Sequence, residues 1–80
     1  MIDRRDMEGC VLQAVAAHGG RATVLEVAKH VWENHKRAIE GSPFLYSWQY
    51  DARWAATSLR KQGKLKPAHV SPRGIWELSP

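Results

Sequence analysis

Glycine and proline divide this 80-residue chain at four points, and the spacing of these points constrains the fold more than any other feature. They are Gly19-Gly20, Gly41-Ser42-Pro43, Gly63 and Ser71-Pro72-Arg73-Gly74. Glycine and proline interrupt helices and strands and initiate turns. The spacing therefore predicts three helices with short connections, followed by a β-hairpin whose turn is residues 71–74.

Apolar residues recur at helical spacing in each of the first three segments, which predicts helices over about 4–18, 24–35 and 47–62. Thr23-Val24-Leu25-Glu26 is a capping box, a pattern that marks the start of a helix. Arg21-Ala22, just before it, is expected to be extended and to pair with a later strand.

Residues 36–46 carry signals for both a loop and a helix. Gly41-Ser42-Pro43 breaks regular structure. Ser42 followed by Pro43 could also start a helix, because proline is tolerated at the first helical position. We predict a loop here and a third helix that starts near Ser47.

Residues 64–78 predict the hairpin. Lys64-Leu65-Lys66 alternates polar and apolar residues, as a half-buried strand does. The returning strand is Ile75–Leu78, with Trp76 and Leu78 on the core side. Pro67 cannot donate a ladder hydrogen bond, so the first strand must lie at an edge or be interrupted there.

The helical periodicity also predicts the core. The first helix contributes a stripe that includes His18, and Trp32 and Trp76 are expected to be buried. The core face of the third helix is predicted to be Trp48, Ala52, Ala55, Leu59 and Gln62. Five aromatic residues cluster just before and within that helix, and we expect most of them in the core, with Tyr46 and Tyr50 as the exceptions: Phe44, Tyr46, Trp48, Tyr50 and Trp54.

Length and composition are those of a single globular domain spanning residues 1–80. Hydrophobic residues make up 44% of the chain and charged residues 25%, which are ordinary values. No apolar run is long enough for a transmembrane helix, and no secretory leader opens the chain. The single cysteine, Cys10, cannot form an internal disulfide, which suits a reducing compartment. We expect a cytoplasmic, nucleoid-associated protein that does not act on membranes.

No set of residues points to catalysis or to a cofactor. A zinc site requires cysteine and histidine pairs at short spacing, whereas this chain has one cysteine and four scattered histidines. Cys10 is expected to be a small buried residue. No nucleophile–base pair, paired carboxylates or glycine-rich phosphate loop can be assembled. We expect a protein that is not an enzyme and holds no metal or cofactor.

The positive charge is concentrated in the second half of the chain. Residues 1–40 contain six Lys or Arg and six Asp or Glu, whereas residues 41–80 contain six against two. The whole net charge of +4 therefore belongs to residues 41–80. A one-sided positive field attracts polyanions such as nucleic acid.

Helix, short strand, helix, helix and hairpin is the element order of a winged helix-turn-helix, an α+β fold with a three-helix core and a small antiparallel wing. Several segments together match the pattern of a known family: Gly19 to Val27, Arg53 to Ala56, Leu59, Gly63 to Leu65, Pro72 to Trp76 and Leu78. Through these residues the chain resembles the N-terminal winged-helix domain of Mrr-type restriction endonucleases across most of residues 8–79. The resemblance implies this fold and a DNA-binding role within a restriction-like system, without the family's nuclease domain. One departure is Asp51, where that family has a basic residue.

Double-stranded DNA is the partner that these features predict. The major groove admits one α-helix, so a recognition helix needs a narrow apolar stripe behind a long polar face. Gln49 is expected to pair with an adenine edge and Arg53 with a guanine edge. Phosphate contacts are expected from Arg60, Lys61, Lys64 and Lys66. Arg73, at the tip of the wing, could enter an adjacent minor groove or contact the DNA backbone. Backbone N–H groups at the start of the second helix could add a phosphate contact. The predicted DNA-binding residues are Gln49, Arg53, Thr57, Arg60, Lys61, Lys64, Lys66 and Arg73.

Two other interpretations remain open at this point. Winged helices also serve as protein-interaction modules, and the aromatic loop 42–50 could be an exposed docking patch. Aromatic residues interleaved with basic ones also bind single-stranded nucleic acid. The DNA interpretation itself allows a small transcription regulator or the DNA-binding module of a larger DNA-processing protein, as a homodimer or tethered to a partner domain.

Overall fold

The structure, a computed structural model, describes residues 4–79 apart from the side chains of Arg4 and Phe44. It has three α-helices and a small antiparallel sheet. The helices are α1 (Arg4–Ala17), α2 (Val24–Glu40) and α3 (Trp48–Lys61), and the strands are β1 (Arg21–Thr23) and β2 (Ile75–Glu77). A 3-10 helix, Pro43–Tyr46, joins α2 to α3. The α+β class is confirmed, and α1 and α3 agree with the predicted helices to within one residue at each end.

The second helix is longer than predicted. It continues through residue 40 instead of ending near 35, because Ile39 extends the buried stripe of Val27 and Val31 by two turns. Ile39 is fully buried. Gly41 then ends the helix, and its N–H donates to the carbonyl of Arg37 at 3.1 Å.

The start of α2 is the predicted capping box. The Glu26 N–H donates to Thr23 Oγ1 at 3.0 Å, and the Thr23 N–H donates to Glu26 Oε1 at 2.8 Å. The connection after α2 differs from the predicted loop, because Pro43 begins a short 3-10 helix. Proline suits that position because its fixed φ angle is compatible with a helix start.

The sheet pairs β1 with β2, as the extended Arg21-Ala22 segment predicted. Ala22 lies opposite Trp76 in an antiparallel register. The first strand of the predicted hairpin is reduced to an isolated antiparallel bridge between Leu65 and Leu78. The pairing stops after Lys66 because the chain then turns, with the N–H groups of Val70 and Ser71 donating to the Pro67 carbonyl at 3.0 and 3.2 Å.

The core lies between the three helices and the sheet. Helix α1 packs more extensively against α3 than against α2, and each of the two helices buries small side chains in the core, among them Ala14 and Ala55. Three members of the predicted core are instead at the surface. His18 lies beyond the last turn of α1, Gln62 is the C-cap of α3 and bonds to Glu8 Oε1 at 2.7 Å, and Trp54 is 48% exposed. Trp32 is half-buried, whereas Trp76 is buried as predicted.

Candidate nucleic-acid interface

One side of α3 carries polar side chains along its whole length. Gln49, Arg53, Thr57 and Arg60 fall within about 80° of the helix circumference at 100° per residue. The first three are exposed and Arg60 is half-buried. The core-facing side of α3 consists of the buried residues Trp48, Ala52, Ala55 and Leu59. The polar stripe therefore faces outward.

The segment Lys66–Gly74 lies beside this stripe and is held at both ends. At its start the Lys66 N–H donates to the Glu77 carbonyl at 2.9 Å. At its end Gly74 has a φ of 79°, and its carbonyl accepts from the Val24 N–H at 3.1 Å. The hydrogen-bonded turn runs from Pro72 to Ile75, at 3.1 Å, one residue later than the predicted turn.

A groove of about 830 Å³ separates the polar stripe of α3 from this segment. Arg53, Thr57 and Arg60 line it from α3, and Ser71 and Arg73 line it from the other side. We call it the arginine groove, after its three arginines. Among its lining residues in the described part of the chain there is no carboxylate, so its charge is uncompensated.

Arg53 and Arg73 are both exposed, and no ion pair forms on either within residues 4–79. Asp51, the acid closest to Arg53 in sequence, is buried on the other side of α3 and accepts a hydrogen bond from Ser47 Oγ at 3.0 Å. The Asp51 carboxylate therefore contributes to the first turn of α3 and does not face the polar stripe.

The structure does not bring the predicted lysines into the groove. Lys61 and Lys64 are exposed, and neither lines the arginine groove. Lys66 Nζ lies 3.6 Å from Glu77 Oε2, so its charge is shared with that carboxylate. Such partly exposed ion pairs are weak. The lysines can add charge at the edge of the surface, while the arginines form its centre.

Two aromatic side chains extend the surface beyond the groove. Tyr50 and Trp54 are in a T-shaped arrangement with ring centroids 6.2 Å apart, and with Arg53 and Thr57 they line a shallow depression. The bulk of Trp54 predicts that it is buried, whereas its position around the helix places it at the surface, where it is 48% exposed. Residues 50, 54, 57 and 61 form a second outward stripe at helical spacing, and this signal could have placed Trp54 at the surface.

The aromatic loop 42–50 is partly exposed. Trp48 is buried and stacks on Trp32 with centroids 5.7 Å apart. Tyr46 is 96% exposed, as expected, and the side chain of Phe44 lies outside the described residues. Tyr50, at the end of the same loop, is 61% exposed, so two exposed rings lie on either side of the buried Trp48 in the sequence.

The start of α2 contributes less to the surface than predicted. Its capping box already engages the Glu26 N–H, and the Val24 N–H is bonded to Gly74. These donors are therefore not available to a phosphate group. The hydrogen bonds from Thr23 hold the pKa of the Glu26 carboxyl below its usual range.

Outside this surface, the structure bears on three further features: the Cys10 thiol, metal-ligating side chains and membrane-spanning helices. Burial raises the pKa of the Cys10 thiol, with the Asp6 carboxylate acting in the same direction. No cluster of three or more metal-ligating side chains forms within residues 4–79. Over the same residues, none of the helices combines the length and the apolar character needed to cross a membrane.

Comparison of the chain with models of known protein families, with curated proteins and with solved structures finds no match.

Proposed function

We propose that this chain is a winged helix-turn-helix domain that binds double-stranded DNA. In this proposal α3 is the recognition helix and the segment Lys66–Gly74 is the wing. The observation that carries it is the arginine groove, because Arg53, Arg60 and Arg73 from two separate elements meet there without a carboxylate among the lining residues.

The proposed docking follows from the shape of α3. A helix of about 10–12 Å diameter fits the major groove, which is about 12 Å wide. Gln49 and Arg53, exposed on the first half of α3, would reach base edges, while Arg60 and Arg73 would hold phosphates on either side of the groove. Lys61 and Lys64 would add phosphate contacts at the edge. Lys66 would add less, because it already pairs with Glu77.

Four such phosphate contacts set the expected salt dependence. The logarithm of duplex affinity should fall with the logarithm of salt concentration at a slope of about −3 to −4. One module buries roughly 600–1,000 Å² of its surface on DNA. A homodimer, or a partner domain on the same chain, would raise this affinity, as expected for a regulator or for a module of a larger DNA-processing protein.

Single-stranded nucleic acid is a second candidate, favoured by Tyr50 and Trp54 beside Arg53. Exposed rings next to basic groups stack on unpaired bases. The two candidates differ in how they respond to Trp54→Ala. Single-strand binding should fall about tenfold or more on loss of a stacking ring, whereas duplex binding through the arginine groove should change less.

The test compares two double variants that carry the same net charge. Arg53→Ala with Arg73→Ala should weaken binding to a labelled duplex pool by at least about tenfold at low salt, since arginine contacts are each worth about 1–3 kcal/mol. Arg5→Ala with Arg37→Ala removes the same charge from exposed positions outside the arginine groove and should retain most of the binding. Both should melt near the wild-type temperature. Equal losses in the two variants would show that net charge alone attracts DNA and would reject the proposed surface.

A further inference from the structure

Two buried polar atoms beside the arginine groove have no hydrogen-bond partner. They are Ser71 Oγ and Arg60 Nε, and both residues line the groove. Ser71 is only 7% exposed. A buried donor without an acceptor is unfavourable, so folded proteins rarely retain one. Two of them along one groove indicate a site whose acceptor is supplied by a ligand.

The chemistry of the groove specifies the ligand's charge. A serine hydroxyl can donate one hydrogen bond, and a guanidinium group is only a donor. Arg53 and Arg73 add two further positive groups to the lining. A ligand that satisfies all of these donors must be an anion with several acceptor oxygens.

The form of the groove favours a phosphate over a smaller anion. The groove is open, and its volume of about 830 Å³ is much larger than a closed cage around one ion would be. Arginine also matches the oxygens of a phosphate with paired, charge-assisted hydrogen bonds. Arg53 lines the groove, and Gln49 is exposed one helical turn before it on α3, so a chain of phosphates can follow the same surface.

We propose that the arginine groove is a binding site for a backbone phosphodiester, which accepts hydrogen bonds from Arg60 Nε and Ser71 Oγ. Arg73, which lines the groove on the same side as Ser71, adds a further positive charge for this phosphate. This inference rests on the proposed DNA binding, and it assigns Ser71 a ligand-binding role that its sequence position did not indicate.

Ser71→Ala is the most selective variant. The hydroxyl has no partner in the free protein, so its removal should not lower the melting temperature. Duplex affinity should nevertheless fall about 10- to 100-fold, which corresponds to one lost hydrogen bond to a charged group. Arg60→Lys keeps the charge but removes the Nε–H donor, and it should give a similar loss. Arg37→Lys, the same exchange on the exposed end of α2, is the matched control.

Direct observation of Arg60 separates this inference from the proposed function. The Nε–H resonance of Arg60 and the amide of Ser71 should shift when wild-type protein is titrated with inorganic phosphate, and more strongly with a duplex. If the duplex binds but these signals do not move and neither variant loses affinity, the phosphate site is wrong while DNA binding stands. If phosphate alone saturates the site and no duplex binds, the ligand is a free phosphate-bearing molecule, and both the diester assignment and the proposed function are rejected.

Discussion

Glu26 shows how one side chain can link the fold to pH. Its carboxylate accepts the Thr23 N–H and the pKa of this carboxyl lies below its ordinary value of 4.5. A carboxyl with a lowered pKa in the folded state binds protons less readily there than in the unfolded chain. Its contribution to stability is therefore present above about pH 4.5 and is lost as the pH falls through the lowered value.

Glu26→Gln should reduce this pH dependence. The free energy of unfolding of the wild type should fall more steeply than that of the variant as the pH is lowered from about 5 to 3, because only the wild type gains a proton at this position on unfolding. Urea unfolding followed by circular dichroism at several pH values measures the difference. Glu33→Gln, on the exposed face of the same helix, controls for the loss of a negative charge. Parallel pH profiles for Glu26→Gln and the wild type would contradict the capping role.

Single residues differ in how well the sequence predicts them. Gln49, Arg53 and Thr57 could be placed outward because alanines and leucine define the opposite face of α3. Gln62 could not, since its contact with Glu8 depends on how α1 packs against α3. Ser71 was predicted only as part of a turn. Its buried, unpartnered hydroxyl depends on the position of α3 across the groove and has no signature in the local sequence.

At the level of elements, the turn that carries Arg73 depends on the positive φ angle of Gly74. Gly74 has a φ of 79°, whereas Gly9 lies inside α1. A Cβ atom added at either glycine would meet no atom within 4 Å. The two positions therefore differ in backbone conformation and not in available space.

Alanine at these two glycines should have opposite effects. Gly74→Ala should lower the free energy of unfolding by about 1–2 kcal/mol, because alanine is strained at a left-handed φ. Gly9→Ala should raise it by about 0.5–1 kcal/mol, because alanine is the better helix former. Denaturant titration of both variants tests this. A neutral Gly74→Ala would mean that the turn does not hold the left-handed conformation.

The elements were largely predictable, with two exceptions that have physical causes. The capping box and Gly63 marked helix ends correctly, and the pairing of Arg21-Ala22 with a later strand is confirmed. The length of α2 was underestimated because the polar residues 33–37 obscured the distant contribution of Ile39. The hairpin was overestimated because local alternation at 64–66 does not show which strand becomes the main partner of β2.

For the whole molecule, the sequence shows only that the net positive charge lies in residues 41–80, whereas the fold brings three arginines of that half into one groove. Arg60 and Arg73 are 13 positions apart in the sequence, yet both line the groove with Arg53. The bridge at Leu65 and the hydrogen bond from the Val24 N–H to the Gly74 carbonyl bring the loop back beside α3. The lysines were equally visible in the sequence but lie outside the groove. An interface of roughly 600–1,000 Å² would occupy less than about a fifth of the 5254 Å² accessible surface, which leaves room for a partner.

The most direct measurement is an amide chemical-shift map of the wild-type protein titrated with a duplex chosen by binding selection. The account predicts that the largest shifts fall on residues 49–60 of α3 and on the turn 71–74, with small changes in α1 and in the second half of α2. Largest shifts on α1 or on the end of α2, or no shifts at any duplex concentration, would contradict the claim that the arginine groove and the outer stripe of α3 bind DNA.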